Sequence, residues 1–336
     1  MDFSKIFLKD ACPTSIGGQA VLDGVMMKGP DRLAVTIRRP DGRLHIRTTP
    51  LKKSNKLRKI PILRGVFVFF DSLVTGMSTI MYSADVIADA DDEEEEKGKF
   101  ELWMEEKFGE KAVWNFFMYV AVVVALIVSI GMFILLPTAA VSLLGAITDN
   151  HIVLNLAEGI FRMLLFVLYI WAISRMDDIK VTFQYHGAEH KTIHCFEKGL
   201  ELTPENARQF YTLHPRCGTS FLMFVMVISL ILFSLLGWPN LAVRLLSRIL
   251  LIPVVAGLSY ELLRWAGRSD SWLVRILSVP GLWLQKITTN EPTDEQLEVA
   301  IASMKAVLVD EDAPFIEGIC DLNANLIEEH IVGDRK

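Results

Sequence analysis

The sequence lacks the features that mark several common functional classes. Its basic residues are scattered and outnumbered, with 34 Lys and Arg against 40 Asp and Glu, so no nucleic-acid-binding surface is indicated. It has no nucleotide-binding glycine loop and no serine in a nucleophile elbow. It also has no internal repeat, and many transporters show one. A transporter built on Glu158, Arg162 and Arg248 is therefore the weakest of the functions considered.

Apolar residues, by contrast, are abundant. They make up 51% of the chain, and the mean hydropathy is positive, which is unusual for a soluble protein. A helix that crosses a bilayer needs about 20 mostly apolar residues. Segments that approach this length are 113–136, 152–173, 219–237 and 241–265. We therefore predict an α-helical polytopic membrane protein with about four transmembrane helices, a small N-terminal β-rich cytoplasmic unit and interfacial helices.

Two of these segments contain ionisable residues, which are costly inside a bilayer. Glu158 and Arg162 are spaced so that they can pair on one helix face, and both a functional role and simple snorkelling remain open for them. In the last segment, Arg244 and Glu261 fit snorkelling near the helix ends.

The distribution of lysine and arginine predicts the orientation in the membrane. The loop 174–218 is rich in both residues, whereas the connections 137–151 and 238–240 contain neither. The positive-inside rule then places the loop and both termini in the cytoplasm of a bacterial cell, and residues 1–19 hold no apolar run long enough for a secretory signal. In this reducing compartment no disulfides are expected among Cys12, Cys195, Cys217 and Cys320.

The polar segments outside the spans also carry structural signals. Residues 1–59 are predicted to be the β-rich unit, because RLAVTIRRPDGRLHIRT alternates polar and apolar side chains around a Pro40-Asp41-Gly42 turn, and GGQAVLDGVMMKGP indicates one further strand. Residues 60–84 are predicted to be an interfacial or re-entrant helix rather than a fifth span, because the basic residues at 52–59 would anchor it to anionic headgroups.

The predicted order along the chain continues with an acidic linker and helix at 85–112, transmembrane helices at 113–173, the cytoplasmic His/Cys loop at 174–218 and transmembrane helices at 219–265. Residues 266–336 are expected to form an interfacial helix broken at Pro280, then a cytoplasmic helix capped by Thr293 and a tail.

A cluster of metal-binding residue types lies in the His/Cys loop. Residues 184–198 contain no proline and are predicted to be helical, which places on one face His186, Glu189, His190 and His194. Two imidazoles one turn apart can chelate one ion. Because His186 and His194 are about 12 Å apart along the axis, the chelating pair is either His186 with His190 or His190 with His194.

Further donors follow in LHPRCGTSF, where His214 offers a nitrogen and Cys217 a thiolate, and Cys195 is also near in sequence. Such soft donors favour a divalent metal, Zn²⁺ or Fe²⁺, over Mg²⁺. The run from His186 to His190 also matches the H-x-x-E-H pattern, in which the glutamate is a general base, so Glu189 is the candidate catalytic residue. Three protein ligands would leave an open, catalytic position, four would close a structural site, and histidines that only cap the helix and hydrogen-bond polar neighbours would need no metal.

Four stretches carry a resemblance to a family: GGQAVLDGVMMKGP, YHGAEHKTIHCFE, ELTPENARQFYTLHPRCGTSFL and EPTDEQLEVAIASM. Together they resemble the YqhQ-like bacterial membrane proteins, which share a domain of unknown function sometimes labelled a predicted metal-dependent enzyme. The resemblance spans nearly the whole chain and implies a metal site, without a substrate. It includes all six of the residues singled out above, His186, Glu189, His190, His194, His214 and Cys217, without assigning their roles.

Two functions are compatible with these observations. The first is a metal-dependent hydrolase at the cytoplasmic face of the membrane, with Glu189 as the base. The second is a non-catalytic assembly or scaffold factor, in which a structural metal or a polar cluster holds the loop and the apolar segments contact other membrane proteins. The lipid bilayer is the expected partner in both.

Overall fold

The computed structural model of the protein describes residues 3–7, 11–12, 14–51, 60–90, 99–237, 239–266, 269, 271–309, 315–320 and 326–333. The basic stretch 52–59 and the acidic run 91–98 lie outside the described residues. Backbone contacts divide the chain into two compact units. The first unit contains Met1–Ala90, Val167–Ser229 and Leu241–Lys336, and the second contains Asp91–Phe166 and Leu230–Asn240.

A short helix, α1 (Phe3–Ile6), precedes an antiparallel sheet in the first unit. Its N-terminal strands follow one another as neighbours: β1 (Gly17–Val21), β2 (Gly24–Lys28), β3 (Arg32–Arg38) and β4 (Leu44–Pro50). The predicted hairpin is confirmed, since β3 pairs with β4 and Gly42 takes a positive φ of 84° in the turn. The prediction of a single strand before it is wrong, because a tight turn at Leu22 and Asp23 divides that stretch into β1 and β2.

The sheet is extended by two C-terminal strands that the sequence analysis did not predict. β5 (Phe315–Cys320) pairs with the free edge of β4, and β6 (Leu326–Gly333) pairs with β5. Both faces of the N-terminal strands are covered. Val25, Met27 and Ala34 belong to a core shared with two helices of the chain, whereas Met26 and Val35 face a helix on the other side.

Among the described residues, four helices are long and apolar enough to cross a membrane. They are α2 (Leu63–Ala88), a helical run Ala112–Ala146, α6 (His151–Ile173) and Ala242–Ala266 of α10 (Leu241–Ala266). The helical run Ala112–Ala146 follows α3 (Lys99–Phe108). It consists of α4 (Glu110–Ile130), a π-helical turn at Gly131–Leu135, α5 (Leu136–Ser142) and a 3₁₀ turn at Leu143–Ala146.

The predicted number of spans agrees with this result, but the set differs. The helix predicted to be interfacial, α2, meets the criteria of length and composition, whereas the predicted third span corresponds to the shorter α9 (Gly218–Ser234). The expected pairing on α6 is present, since Arg162 donates to Glu158 at 2.7 Å. Glu261 does not simply snorkel, because it accepts two hydrogen bonds from Arg64 of α2.

The remaining helices of the first unit complete the fold. They are α7 (Asp177–Glu197), α8 (Pro204–Arg208), α11 (Trp272–Thr288) and α12 (Asp294–Val307). Thr293 caps α12 through a reciprocal capping box with Gln296, as predicted. The predicted break at Pro280 is wrong, because α11 continues through this residue. A proline removes one backbone hydrogen bond from the helix, and here it lies on the exposed side, directly before the buried Gly281 and Leu282.

Candidate metal centre

Helix α7 supplies most of the candidate site. It begins with Asp177 and Asp178, whose negative charges favour the first turn of a helix. The second half, from Tyr185 onward, is almost entirely buried between the sheet and α12. A polar face of a helix in such a position must find partners within the protein, so the contacts of its histidines are informative.

A first cluster, here called the His–Cys site, consists of His186, His190 and Cys217. One ligand atom of each lies within 4.8 Å of the other two, and the Nε2 atom of His186 is 3.1 Å from the Sγ atom of Cys217. Tetrahedral Zn²⁺ with ordinary bond lengths would separate a nitrogen and a sulfur ligand by about 3.6 Å. Small side-chain adjustments would therefore bring the three donors to metal-binding distances.

Backbone carbonyls orient both imidazoles of the His–Cys site. The Nδ1 atom of His186 is 2.8 Å from the carbonyl oxygen of Thr288, and Nδ1 of His190 is paired with the carbonyl of Thr212. A carbonyl can only accept, so each Nδ1 must donate and each Nε2 carries the free lone pair. Metal-ligating histidines characteristically have this kind of second contact.

The free lone pair on His190 is the unusual feature of this arrangement. His190 is 1% exposed, and its Nε2 atom lies near the sulfur of Cys217 without forming a hydrogen bond of ordinary geometry in the described part of the chain. Buried polar atoms are nearly always paired, because an unpaired one costs about 1–3 kcal/mol. Burial also lowers the pKa of His190 to about 4, which keeps the imidazole neutral and able to act as a ligand.

Cys217 is placed where its thiolate is stabilised. Burial raises the pKa of this thiol, and the two hydrogen bonds from Thr219 act in the opposite direction, because they favour the thiolate. Thr219 contributes its hydroxyl at 3.2 Å and its backbone N–H at 3.5 Å. A thiolate, rather than a thiol, is the form that binds metals.

Glu189 lies on α7 beside this site and against strand β1. A Cβ atom on Gly18 would be only 2.9 Å from the Cδ atom of Glu189, so the glycine allows the strand to approach the carboxyl group. Burial raises the pKa of Glu189 to about 8, partly offset by the nearby His186. The carboxyl group is therefore close to the neutral range in which a proton donor or acceptor works.

A second cluster, here called the His–Glu cluster, consists of His194, Glu197 and His214, whose ligand atoms also lie within 4.8 Å of one another. It differs from the His–Cys site because a positively charged side chain lies within it. The guanidinium of Arg216 is paired with Glu197 and lies 3.5 Å from the Nε2 atom of His214. The backbone N–H of Arg216 donates to Nδ1 of His214. His214 therefore carries its proton on Nε2, which faces Glu197 at 4.0 Å.

The structure thus divides the predicted ligands between two clusters. His186 and His190 lie with Cys217, whereas His194 and His214 lie with Glu197. Cys195 belongs to neither cluster, because its sulfur faces the carbonyl of Glu201 at 3.5 Å. The sequence analysis missed Glu197, although its position three residues after His194 would have placed it on the same helix face.

Close packing of α7 against the end of α11 is required for the contact between His186 and Thr288. A Cβ atom on Gly187 would lie 2.1 Å from the carbonyl oxygen of Asn290, which is impossible without displacing that backbone. We expect Gly187→Ala to lower the midpoint of thermal unfolding by about 5 °C, since overpacking typically costs about 1–3 kcal/mol. The measurement is tryptophan fluorescence of detergent-purified protein on heating. Gly131→Ala is the control, because a Cβ atom there meets nothing within 4 Å, and an equal effect of both changes would contradict the prediction.

Comparison with known proteins identifies the family. Residues 60–310 match the model of DUF1385, described as a protein of unknown function. The chain belongs to this family. It is also 36% identical over 304 residues to the uncharacterized protein YqhQ of Bacillus subtilis (strain 168), covering 89% of this chain and 94% of that protein. The resemblance inferred from the sequence is therefore confirmed, and neither the family description nor the name of the relative states an activity. No solved structure matches the chain.

Proposed function

We propose that this protein binds one divalent metal ion, Zn²⁺ with Fe²⁺ as the alternative, at His186, His190 and Cys217, and uses it for hydrolysis at the cytoplasmic face of a bacterial membrane. The observation that carries the proposal is the buried Nε2 atom of His190, which forms no hydrogen bond of ordinary geometry with the described residues and points into a site shared with a second imidazole and a stabilised thiol. A metal ion would satisfy this atom.

Three ligands leave one position of a tetrahedral ion open, as in catalytic zinc sites. A bound Zn²⁺ would supply Lewis acidity at that position, and its charge would lower the pKa of Glu189 from about 8 toward neutrality. Glu189 would accept a proton at its carboxylate. Gly18 holds that carboxylate in place by its close approach from β1.

The membrane topology is part of the proposal, and contacts within the first unit support it. Glu189 of α7 lies against Gly18 of β1, and Ser303 of α12 donates to the carbonyl of Ala34 in β3 at 3.1 Å. The sheet, α7 and α12 must then lie on one side of the membrane. The chain must therefore cross the membrane an even number of times between the end of β4 at residue 50 and the start of α7 at residue 177. The same holds between residue 218 and the start of α12 at residue 294.

Because the number of crossings before α7 must be even, we infer that helix α2 does not span the membrane. Its C-terminal half packs on the sheet, where Ser83 accepts from the backbone of Leu22 and Tyr82 hydrogen-bonds His45 at 2.6 Å. The first turn of α2 contacts the C-terminal part of α10, where Arg64 donates to Glu261, and the helix is continuous between the two contacts. Helix α2 would therefore lie along the membrane surface without crossing the bilayer. The helical runs Ala112–Ala146, α6, α9 and α10 then provide four crossings, and the basic loop after α6 would be cytoplasmic with both termini.

The alternative is a non-catalytic assembly factor that contacts other membrane proteins, with a metal that only fixes the fold. It is favoured by the burial of the donors, since His190 is 1% and Cys217 9% exposed, and by the number of segments that meet at the site. Here the metal would join α7 to the segment at Cys217, and the carbonyls of Thr212 and Thr288 would hold the two imidazoles in position.

The test is the metal content of detergent-purified protein, measured by mass spectrometry. We expect about one Zn²⁺ or Fe²⁺ per chain in the wild type and in His151→Ala, and loss of the metal in His190→Ala. His151 is a matched control because it is an exposed histidine at the start of α6, outside both clusters. A metal-free wild type, in protein purified without chelators, would overturn the proposal.

A further inference from the structure

Helix α11 contacts the segments of the candidate metal site on one face and exposes apolar side chains on the other. Its outer face is exposed and apolar: Trp272 is 72%, Ile276 57% and Trp283 65% exposed. Successive residues in this set are four and seven positions apart, so they form one stripe along the helix, and the exposed Lys286 lies at its C-terminal end. Tryptophan and lysine at one edge of an apolar stripe are typical of a helix that lies in the membrane interface.

The position of α11 in the chain points to a lipid surface as the occupant of this face. The candidate span α10 ends at Ala266, and the residues 267–271 that follow can reach no farther than about 18 Å before α11 begins. Its middle also packs on the start of the apolar helix α9, where a Cβ atom on Gly281 would lie 2.7 Å from the hydroxyl of Ser220. Helix α11 is therefore held beside the ends of two apolar helices.

The inner face of the same helix holds the metal-site segments. Gln285 is fully buried; its Oε1 accepts from the backbone N–H of His214 at 2.8 Å, and its Nε2 donates to the carbonyl of His214 and to the hydroxyl of Ser220, both at 2.9 Å. This single side chain fixes both backbone groups of His214, three residues before Cys217. One turn further along α11, the carbonyl of Thr288 orients His186.

We propose that α11 lies in the headgroup region of the bilayer and that Gln285 is a positioning residue which transmits this placement to the His–Cys site, so that membrane seating raises metal affinity. The inference rests on the proposed metal site. It adds a lipid surface as the partner of that site and a residue that acts on the ligands without touching the metal.

The first experiment locates α11. The full-length protein is reconstituted in phosphatidylcholine–phosphatidylglycerol nanodiscs whose lipids are brominated at either shallow or deep acyl carbons, and tryptophan quenching is compared between the wild type and Trp283→Phe. The difference between the two proteins isolates Trp283. We expect this contribution to be quenched more strongly by the shallow bromines, and an unquenched Trp283 would overturn the seating.

The second experiment measures coupling, with Co²⁺ as the probe because thiolate-to-cobalt charge transfer and the d–d bands report on the ligand geometry. In nanodiscs, we expect the double change Trp272→Ser and Trp283→Ser, and separately Gln285→Met, to weaken Co²⁺ binding about 10-fold and to alter the d–d bands, as changes beside metal ligands do. Gln285→Glu, which keeps the acceptor for the N–H of His214, should restore part of the affinity.

Matched controls are the exposed Trp103 and Gln209, which belong to neither cluster and are not on α11. Trp103→Ser and Gln209→Met should bind Co²⁺ as the wild type does. If the wild type binds Co²⁺ and the α11 variants bind it equally well, the coupling is wrong while the proposed metal site stands. If the wild type binds no Co²⁺ at all, the proposed function fails, and this inference fails with it.

Discussion

Glu197→Ala is expected to lower the midpoint of thermal unfolding by about 5–10 °C, the largest effect on stability that we predict. The carboxylate of Glu197 is 5% exposed and accepts hydrogen bonds from the backbone and the hydroxyl of Thr14 at 2.8 and 3.1 Å, and from Arg216. Its removal would leave the guanidinium of Arg216 without this carboxylate and would break both hydrogen bonds from Thr14 to α7, although the backbone bond from Cys12 to residue 197 would stay. Loss of one member of a buried ion pair typically costs about 3–5 kcal/mol.

The pH dependence of this effect follows from the pKa of Glu197. Burial raises it, but His214, Thr14 and Arg216 outweigh burial and bring it to about 2. Because the folded pKa lies below the ordinary value of 4.5, the stabilisation is complete above about pH 4.5 and is lost as the pH falls toward 2. The difference between variant and wild type should therefore be constant from pH 6 to 8 and should shrink in acid.

Thermal unfolding of detergent-purified protein, followed by tryptophan fluorescence between pH 4 and 8, tests this prediction. Glu201→Ala is the control, since Glu201 is exposed on the loop directly after α7. A midpoint within 2 °C of that control at pH 7 would show that the network around Glu197 contributes little.

Local signals in the sequence were sufficient for the elements that depend on neighbours along the chain. The proline and glycine around Asp41 define the hairpin between β3 and β4, and the threonine at 293 with Gln296 defines the start of α12. The four-residue spacing of the histidines limited the close pairs to His186 with His190 or His190 with His194, and the structure groups the first of these pairs with Cys217.

The features that could not be predicted depend on contacts between residues far apart in the sequence. The separation of His194 from the His–Cys site depends on Arg216, which binds Glu197 from a loop beyond α8, and no local pattern shows this. The role of Gln285 depends on the packing of α11 against a segment about 70 residues earlier in the chain. Similarly, the apolar composition of α2 does not reveal that its second half packs on a sheet instead of lipid.

Glu189→Gln separates the roles of the carboxyl group, and its first expected result concerns stability in the absence of metal. Burial raises the pKa of Glu189 from 4.5 to about 8, so the folded protein resists ionisation that the unfolded chain undergoes freely. The wild type therefore loses stability as the pH rises from about 4.5 to 8, and the glutamine variant does not. In EDTA-treated protein, we expect equal midpoints at pH 5 and a midpoint on the order of 5 °C higher for Glu189→Gln at pH 9. Glu201→Gln should follow the wild type at both values.

The second expected result concerns metal and catalysis, and it distinguishes the two proposed functions. Because Glu189 is not one of the three converging donors, Glu189→Gln should keep its metal, as measured by mass spectrometry. If the protein is a hydrolase, its activity should fall by about 10²–10⁴-fold, the usual contribution of a general base. If the site is structural, complementation of a deletion strain by Glu189→Gln should match the wild type, while His190→Ala fails. Loss of the metal in a folded Glu189→Gln would instead make Glu189 a ligand and would exclude it as the base.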